Sequence, residues 1–305
     1  MWWLSLLGCS GEANPSRTWQ DSWELMVLSR DNSLLDLRWT HSSTGALAGM
    51  GQARGEVAAR KSGLVRFGYD AFPEEVDVLE AGLRIGPDLI EQTGQNWNVV
   101  VREGTELDGF RDIRMTLTGD HEGAELSLDG HDWTLSAPEL SPEASGALGG
   151  GTRFTLLQGP AVLLHRYGTE NPGLSGEPRD AVYIRDEGLS IAYDAVGSQA
   201  LSWVVVDGQR YEGGSPLLSI DGKVWTLDFT PELPLVAQVT ARRPAMLRDP
   251  YEHLSGPEHW LLDQSGRLPR RLLRAASAEL RWKDEVRTSP AMLLQVAYNH
   301  DLDEG

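Results

Sequence analysis

The sequence predicts an all-β protein: two tandem antiparallel barrels or curved sheets, with one or two short helices near 250–278. Three observations lead there. From Trp23 onward apolar residues recur with a period of two rather than the helical 3.6. Turn dipeptides interrupt these runs roughly every 8 to 12 residues, the spacing of sandwiches and barrels. The polar stretch GTENPGLSGEPR, from Gly168 to Arg179, divides the chain into an N-terminal body over 21–168 and a C-terminal body over 180–300, with 169–179 as linker. A length of 305 residues suits two such units.

In chain order, strands at 23–28 and 34–40 flank Arg30-Asp31-Asn32-Ser33 and read as a hairpin. The stretch 45–57, GALAGMGQARGEV, is rich in Gly and Ala where a strand is due, and glycine inside a strand marks a bulge, a bend or a close backbone approach. Further strands are expected at 64–69, 76–85, 97–102, 111–118, 124–128, 132–136, 152–158 and 161–167. The second half repeats the style at 181–185, 189–193, 200–206, 217–220, 224–229 and 235–241, and closes with 279–282 and 291–298. Asp207-Gly208 and Asp221-Gly222 are hairpin signals, because a type I′ turn needs positive φ at both central residues. The region 250–278 breaks the pattern: Leu254, Trp260, Leu261 and Leu262, then Leu268, Leu272 and Leu273, stand at mixed spacing that fits short helices. An internal echo relates the halves. LSLDGHDWTLSAPEL, Leu126 to Leu140, matches LSIDGKVWTLDFTPEL, Leu218 to Leu233, although Asp-Gly before an alternating strand is also a common hairpin solution.

Composition excludes some roles. With 27 Lys plus Arg against 45 Asp plus Glu, the net charge of −18 repels phosphate backbones, so nucleic acid is not an expected partner. No apolar run approaches the roughly 18 residues of a membrane-spanning helix. Eleven tryptophans against five phenylalanines favour sites that are apolar on one side and polar on the other, such as barrel cavities and sugar-binding faces.

The N-terminus reads MWWLSLLGCS, a short apolar stretch ending in Leu-Leu-Gly-Cys before a polar run. It resembles a bacterial lipobox, which makes 1–8 a signal peptide, Cys9 the lipidated first residue of the mature chain and 9–20 a linker. Cys9 is the sole cysteine, so no intrachain disulfide competes for it. The leader lacks Lys and Arg and is shorter than the usual h-region of about 7 to 15 residues, which points to an upstream start. Ser10 in the second mature position fits sorting to the outer membrane, facing the periplasm or the surface. The alternative is a greasy strand with a buried cysteine.

The usual catalytic motifs (GxSxG, P-loop, HExxH, CxxC) are missing from the sequence. Gly49, Gly51 and Gly55 stand at GxGxxxG spacing with no helix pattern after them, and read as a bend in a strand. Asp249-Pro250-Tyr251-Glu252-His253 with Glu258-His259 is the densest titratable group and could in principle bind a metal or shuttle protons, but its spacing matches no known metal geometry and a polar loop is the preferred reading; no metal or cofactor is expected. His165, Arg166 and Tyr167 end an apolar strand, and His41 follows Trp39 across another strand end. Pointing inward, His165 and Tyr167 would give a pocket polar groups; pointing outward they are rim residues. Trp39, Trp97, Trp133, Trp203 and Trp225 lie in predicted strands, where core packing competes with ligand stacking. The ligand-binding candidates are therefore Trp39, Trp97, Trp203, Trp225, His165 and Tyr167.

The second half, GLSIAYDAVGSQALSWVVVDGQRYEG followed by LSIDGKVWTLDF, resembles the C-terminal half of the tandem lipocalin-like β-barrel proteins related to carotenoid 1,2-hydratase (hydroxyneurosporene synthase) and to the survival-factor lipid-binding proteins. Trp203 to Gly208 and the Asp-Gly-x-x-Trp hairpin carry most of the likeness; WELMVLSRDNSLLDLRW resembles the opening strands more loosely. The resemblance implies packed barrels with an apolar ligand inside or between them, and places no catalytic residue here. The leading expectation is thus an envelope lipoprotein binding a hydrophobic small molecule or lipid, rather than an enzyme. The alternatives are a glycan- or protein-binding module, marked by exposed coplanar tryptophans, and a hydratase-like enzyme, marked by an inward Asp or Glu beside a His.

Overall fold

The structure is a computed structural model that describes residues 20–29, 32–42, 50–59, 63–94, 96–101, 112–127, 133–150, 153–159, 161–168, 178–186, 188–207, 209–212, 216–230, 232–248, 257, 260 and 269–298. The first sheet is 12-stranded. It comprises β1 (Gln20–Leu28), β2 (Leu34–Ser42), β3 (Gly51–Ala59), β4 (Gly63–Ala71), β5 (Val76–Leu79), β6 (Gly82–Ile85), β7 (Asp88–Thr93), β8 (Asn96–Val101), β9 (Asp112–Ser127), β10 (Trp133–Gly150), β11 (Arg153–Gly159) and β12 (Ala161–Gly168). The second is 9-stranded. It comprises β13 (Arg179–Asp186), β14 (Leu189–Val196), β15 (Gln199–Val206), β16 (Gln209–Glu212), β17 (Leu217–Asp221), β18 (Val224–Asp228), β19 (Leu235–Arg248), β20 (Pro269–Trp282) and β21 (Glu285–Tyr298). The all-β class read from the sequence is the observed one.

Both sheets follow one order. From one edge the first runs β4-β3-β2-β1-β12-β10-β9-β8-β7-β6-β5, with β11 beside β10, and the second runs β16-β15-β14-β13-β21-β20-β19-β18-β17. This alignment relocates the sequence echo. The echoed hairpins are β9–β10 and β17–β18, but β17–β18 occupies the place of β7–β8, so the counterpart of Trp225 on β18 is Trp97 on β8 rather than Trp133. An Asp-Gly hairpin signal reports local turn chemistry and is blind to position in the sheet.

Three local readings change. The stretch 76–85, expected as one strand, folds back as β5 and β6 around Glu80-Ala81, with Gly82 at φ 142. The Asp221-Gly222 turn is offset by one residue: Asp221 pairs with Val224, leaving Gly222-Lys223 as the loop, with positive φ at Gly222 only. Positive φ at the first central residue alone is the type II′ pattern. Residues 269–278, expected in part as helix, are strand. Along β20, Arg271, Leu273 and Ala275 face the first sheet while Ala276, Ala278 and Leu280 face the second sheet's own interior. With both faces covered, the polar alternation that marks a strand disappears. Pro257 and Trp260 are the described residues of 249–268, so the remainder of the expected helix, with the Glu252-His253 and Glu258-His259 group, lies outside the described residues.

Side-chain alternation divides the interior into three cores. Each sheet curls around one: Trp23, Leu25, Leu37, Trp39, Ile85 and Trp97 lie in the first, and Ile184, Ile191, Trp225, Leu235 and Leu293 in the second. The third joins the outer faces of the two sheets, with Met26, Leu34 and Leu164 against Tyr183, Trp203, Met246, Leu273 and Leu294.

Candidate functional site

Pairing register stacks the interior of the first sheet into layers. Asp21 lies opposite His41, Trp23 opposite both Trp39 and His165, Leu25 opposite Leu37 and Leu163, and Val27 opposite Leu35 and Ala161. On the far wall Trp97 pairs with Leu117 and Val99 with Met115. The interior is therefore aliphatic at one end and aromatic and polar at the other. The aliphatic layers are closed: Leu25, Val27, Leu35, Leu37 and Leu163 have 0% accessible surface. The aromatic end opens outward at His165, whose side chain is 28% exposed. That end is the mouth.

Small residues shape this mouth. Ala53 lies opposite Trp39, and Gly51 opposite His41 and Ala71. A Cβ on Gly51 would stand 2.7 Å from Val76 Cγ2 and 3.1 Å from Ile85 Cγ2, so glycine here lets β5 and β6 close against β3. Phe72 follows Ala71 and is 61% exposed on the rim. Its N–H donates to Glu75 Oε2 at 3.1 Å, and the Glu75 N–H donates to the Phe72 carbonyl at 2.9 Å, fixing the short turn over Pro73–Glu75.

Within the mouth the His165 ring lies flat on Trp23, with centroids 3.9 Å apart and 10° between planes. Trp23 and Trp97 meet at 5.0 Å, tilted by 48°. His165 Nε2 is 2.8 Å from Asp21 Oδ1. Donation from Nε2–H to the carboxylate leaves Nδ1 as the acceptor of the neutral ring. The indole N–H groups of Trp23, Trp39 and Trp97 are all buried and meet no acceptor among the described residues. A buried donor left unsatisfied costs about 1–3 kcal/mol, so this aromatic end stores unused hydrogen-bonding capacity.

The residues singled out from sequence fall in three places. Trp39, Trp97 and His165 converge at the mouth. Trp203 lies between the sheets and Trp225 inside the second. The Tyr167 backbone pairs with Asp21, while its side chain, like Trp133's and the whole of Cys9, is outside the described residues. Asp21 and Trp23 were missed. Their signal was available, since the β1–β2 register that faces Trp23 with Trp39 follows from the hairpin.

Also missed was a buried ionic network on the opposite face of the same strands. Arg271 on β20 donates to Asp36 Oδ2 at 2.5 Å and to Glu24. Arg179 on β13 grips Asp194 through Nε at 2.7 Å and Nη2 at 2.5 Å, and reaches Glu24 Oε2 at 3.4 Å. The Tyr183 hydroxyl donates to Asp194 Oδ2 at 2.7 Å. Burial alone would raise the Glu24 carboxyl, but the charges of Arg271 and Arg179, with Arg38 behind them, outweigh it and hold Glu24 below its ordinary value. Arg248 is less well served. It stands 3.7 Å from Glu56, and burial with the neighbouring Arg38 charge lowers it to about 10. Acids and bases inside otherwise apolar strands, as in WELMVL and LLDLRW, were the sequence signal.

No family model and no curated protein match this chain. Solved structures do. The AttH-type protein of Nitrosomonas europaea superposes with a TM-score of 0.61 at 10% identity, covering 95% of each chain. The chain has a lipocalin-like fold. CghA in complex with Sch210972 shares this lipocalin-like arrangement at a TM-score of 0.58 and 11% identity, over 94% of this chain and 89% of CghA. Kievitone hydratase from Nectria haematococca follows at 0.50 and 7%, over 92% and 89%. At such identities the likeness concerns the fold alone.

Proposed function

We propose that this chain binds a hydrophobic small molecule or lipid at the mouth of its first lipocalin-like sheet. The carrying observation is the partly exposed His165, stacked on Trp23 beside Trp39 and Trp97, with Phe72 exposed on the rim. A concave apolar surface with a few convergent polar groups is the ordinary form of a small-molecule site. The closed aliphatic layers below confine the ligand to this end. Titration with the apolar fluorophore N-phenyl-1-naphthylamine tests the reading. Saturable binding that weakens in Trp23→Ala and Phe72→Ser supports it, and binding unaffected by both sinks it.

The neighbouring CghA was solved with a bound small molecule, Sch210972, which supports a ligand-binding reading of the fold without specifying this ligand. The proposal includes attachment to the bacterial outer membrane through an acyl group on Cys9, supported by the Leu-Leu-Gly-Cys sequence. Loss of detergent partitioning in Cys9→Ser is the expected result; retention would refute the anchor.

One observation favours a second reading. Asp21 orients His165 much as an acid orients a catalytic base, so proton transfer on a bound lipid or isoprenoid is chemically available. Ligand retained from native membranes, incubated in heavy water, would then gain deuterium with the parent protein and not with His165→Gln.

A further inference from the structure

Building on the proposed mouth site, we infer that its ligand carries a hydrogen-bond-accepting oxygen, as in a ketone, ester or carboxyl group, which enters first and is received by the indole N–H groups of Trp23, Trp39 and Trp97. Indole nitrogen only donates. The three residues are 6%, 1% and 3% exposed, and none of the three donors meets an acceptor among the described residues. The three residues are neighbours in one core, since Trp23 pairs with Trp39 across the β1–β2 ladder and its ring meets that of Trp97.

The surroundings decide what can satisfy them. The carboxylate of the neighbouring layer, Asp21, is engaged by His165. Beneath the rings lie Leu25, Leu37 and Leu163, which offer side-chain hydrocarbon alone. A water molecule here would bring two hydrogens of its own and needs two to four polar partners. A carbonyl oxygen brings lone pairs and no hydrogen, which complements a group made only of donors. An ammonium head adds only donors, and an alcohol would need an acceptor such as His165 Nδ1 for its own hydrogen. Trp23 keeps a small accessible surface and lies flat against the His165 ring, so the oxygen approaches by displacing that ring rather than through the packed layers.

The test compares undecane, 2-undecanone and undecylammonium on the full chain, read by tryptophan quenching and by the indole N–H signals of protein labelled with 15N-tryptophan. Trp23→Phe, Trp39→Phe and Trp97→Phe assign the signals, and the Trp225 signal in each variant reports that the fold is intact. The ketone is expected to bind at least about tenfold more tightly than undecane, the free-energy scale of one relieved buried donor. It should shift the mouth indole signals downfield while leaving Trp225 unmoved, and the ammonium should bind more weakly than the ketone. Undecane and ketone binding equally, or ketone binding with unmoved indole signals, overturns the acceptor requirement while leaving the mouth site standing. Failure of all three probes overturns both.

Discussion

Glu24 shows how strongly one position is governed by its surroundings. It sits in WELMVL between apolar neighbours, yet it is buried and receives two guanidinium groups from the other sheet. Its carboxyl is held below its ordinary value of 4.5, so the folded form releases its proton more readily than the unfolded chain. The stabilisation is fully present above that value and is lost as pH falls through the lower folded one. Glu24→Gln leaves Arg271 and Arg179 short of a buried counter-charge and is expected to cost about 3–5 kcal/mol near neutral pH. Urea unfolding should show the gap between parent and variant narrowing as pH drops below about 4.5. A gap independent of pH would show that the pair contributes no charge stabilisation. His165 is the complementary case: its identity is plain in sequence, but its stacking on Trp23 depends on the β1–β12 pairing across the whole length of the first sheet.

Among the strands, the hairpin β5–β6 carries a sharp local constraint. Gly82 has φ 142, and a Cβ there would stand 2.1 Å from the Ile90 carbonyl oxygen and 2.8 Å from Glu91 Cα, both backbone atoms. Neither can retreat without breaking the β6–β7 pairing. Gly94 also has positive φ, at 61°, but its Cβ would meet nothing within 4 Å. Gly82→Ala should therefore lower stability by more than about 2 kcal/mol, against about 1 kcal/mol for Gly94→Ala, where only the backbone preference opposes the change. Equal thermal shifts for the two variants would contradict the close approach at Gly82. The sequence marked the glycines of 45–57 as bends or approaches but not Gly82, whose close contact with β7 depends on how the stretch 76–85 folds back on itself.

The two sheets are joined by a shared apolar core and by the Glu24, Asp36, Arg271 and Arg179 network, so they are expected to unfold together. Tryptophans report from all three cores, and their fluorescence should coincide with the loss of β-sheet circular dichroism in one urea transition. Arg271→Met leaves Glu24 and Asp36 facing one fewer cation in a buried setting and should destabilise by about 3–5 kcal/mol. Adding Glu24→Gln and Asp36→Asn to that variant should recover part of the loss, since it removes the uncompensated carboxylates. Two separated transitions in the parent, or no recovery in the triple variant, would argue against the network as the joint between sheets.

The period-two pattern and spaced turns were sufficient to read an all-β chain, because alternation and turn chemistry are properties of a few adjacent residues, whereas the lipocalin-like expectation rested on the family resemblance of the Trp203 to Gly208 stretch. The same local signal could expose Trp39, Trp97 and His165 as residues suited to a pocket. It could not group them apart from Trp203 and Trp225, since identical strand patterns serve an inward core, a sheet-to-sheet core and a second interior. It likewise mistook 269–278 for helix, because a strand buried on both faces loses its alternation. Which face meets which neighbour is set by sheet curl and long-range pairing, and from that alone came the mouth at His165, the three buried indole N–H groups beside it and the charge network on its reverse side.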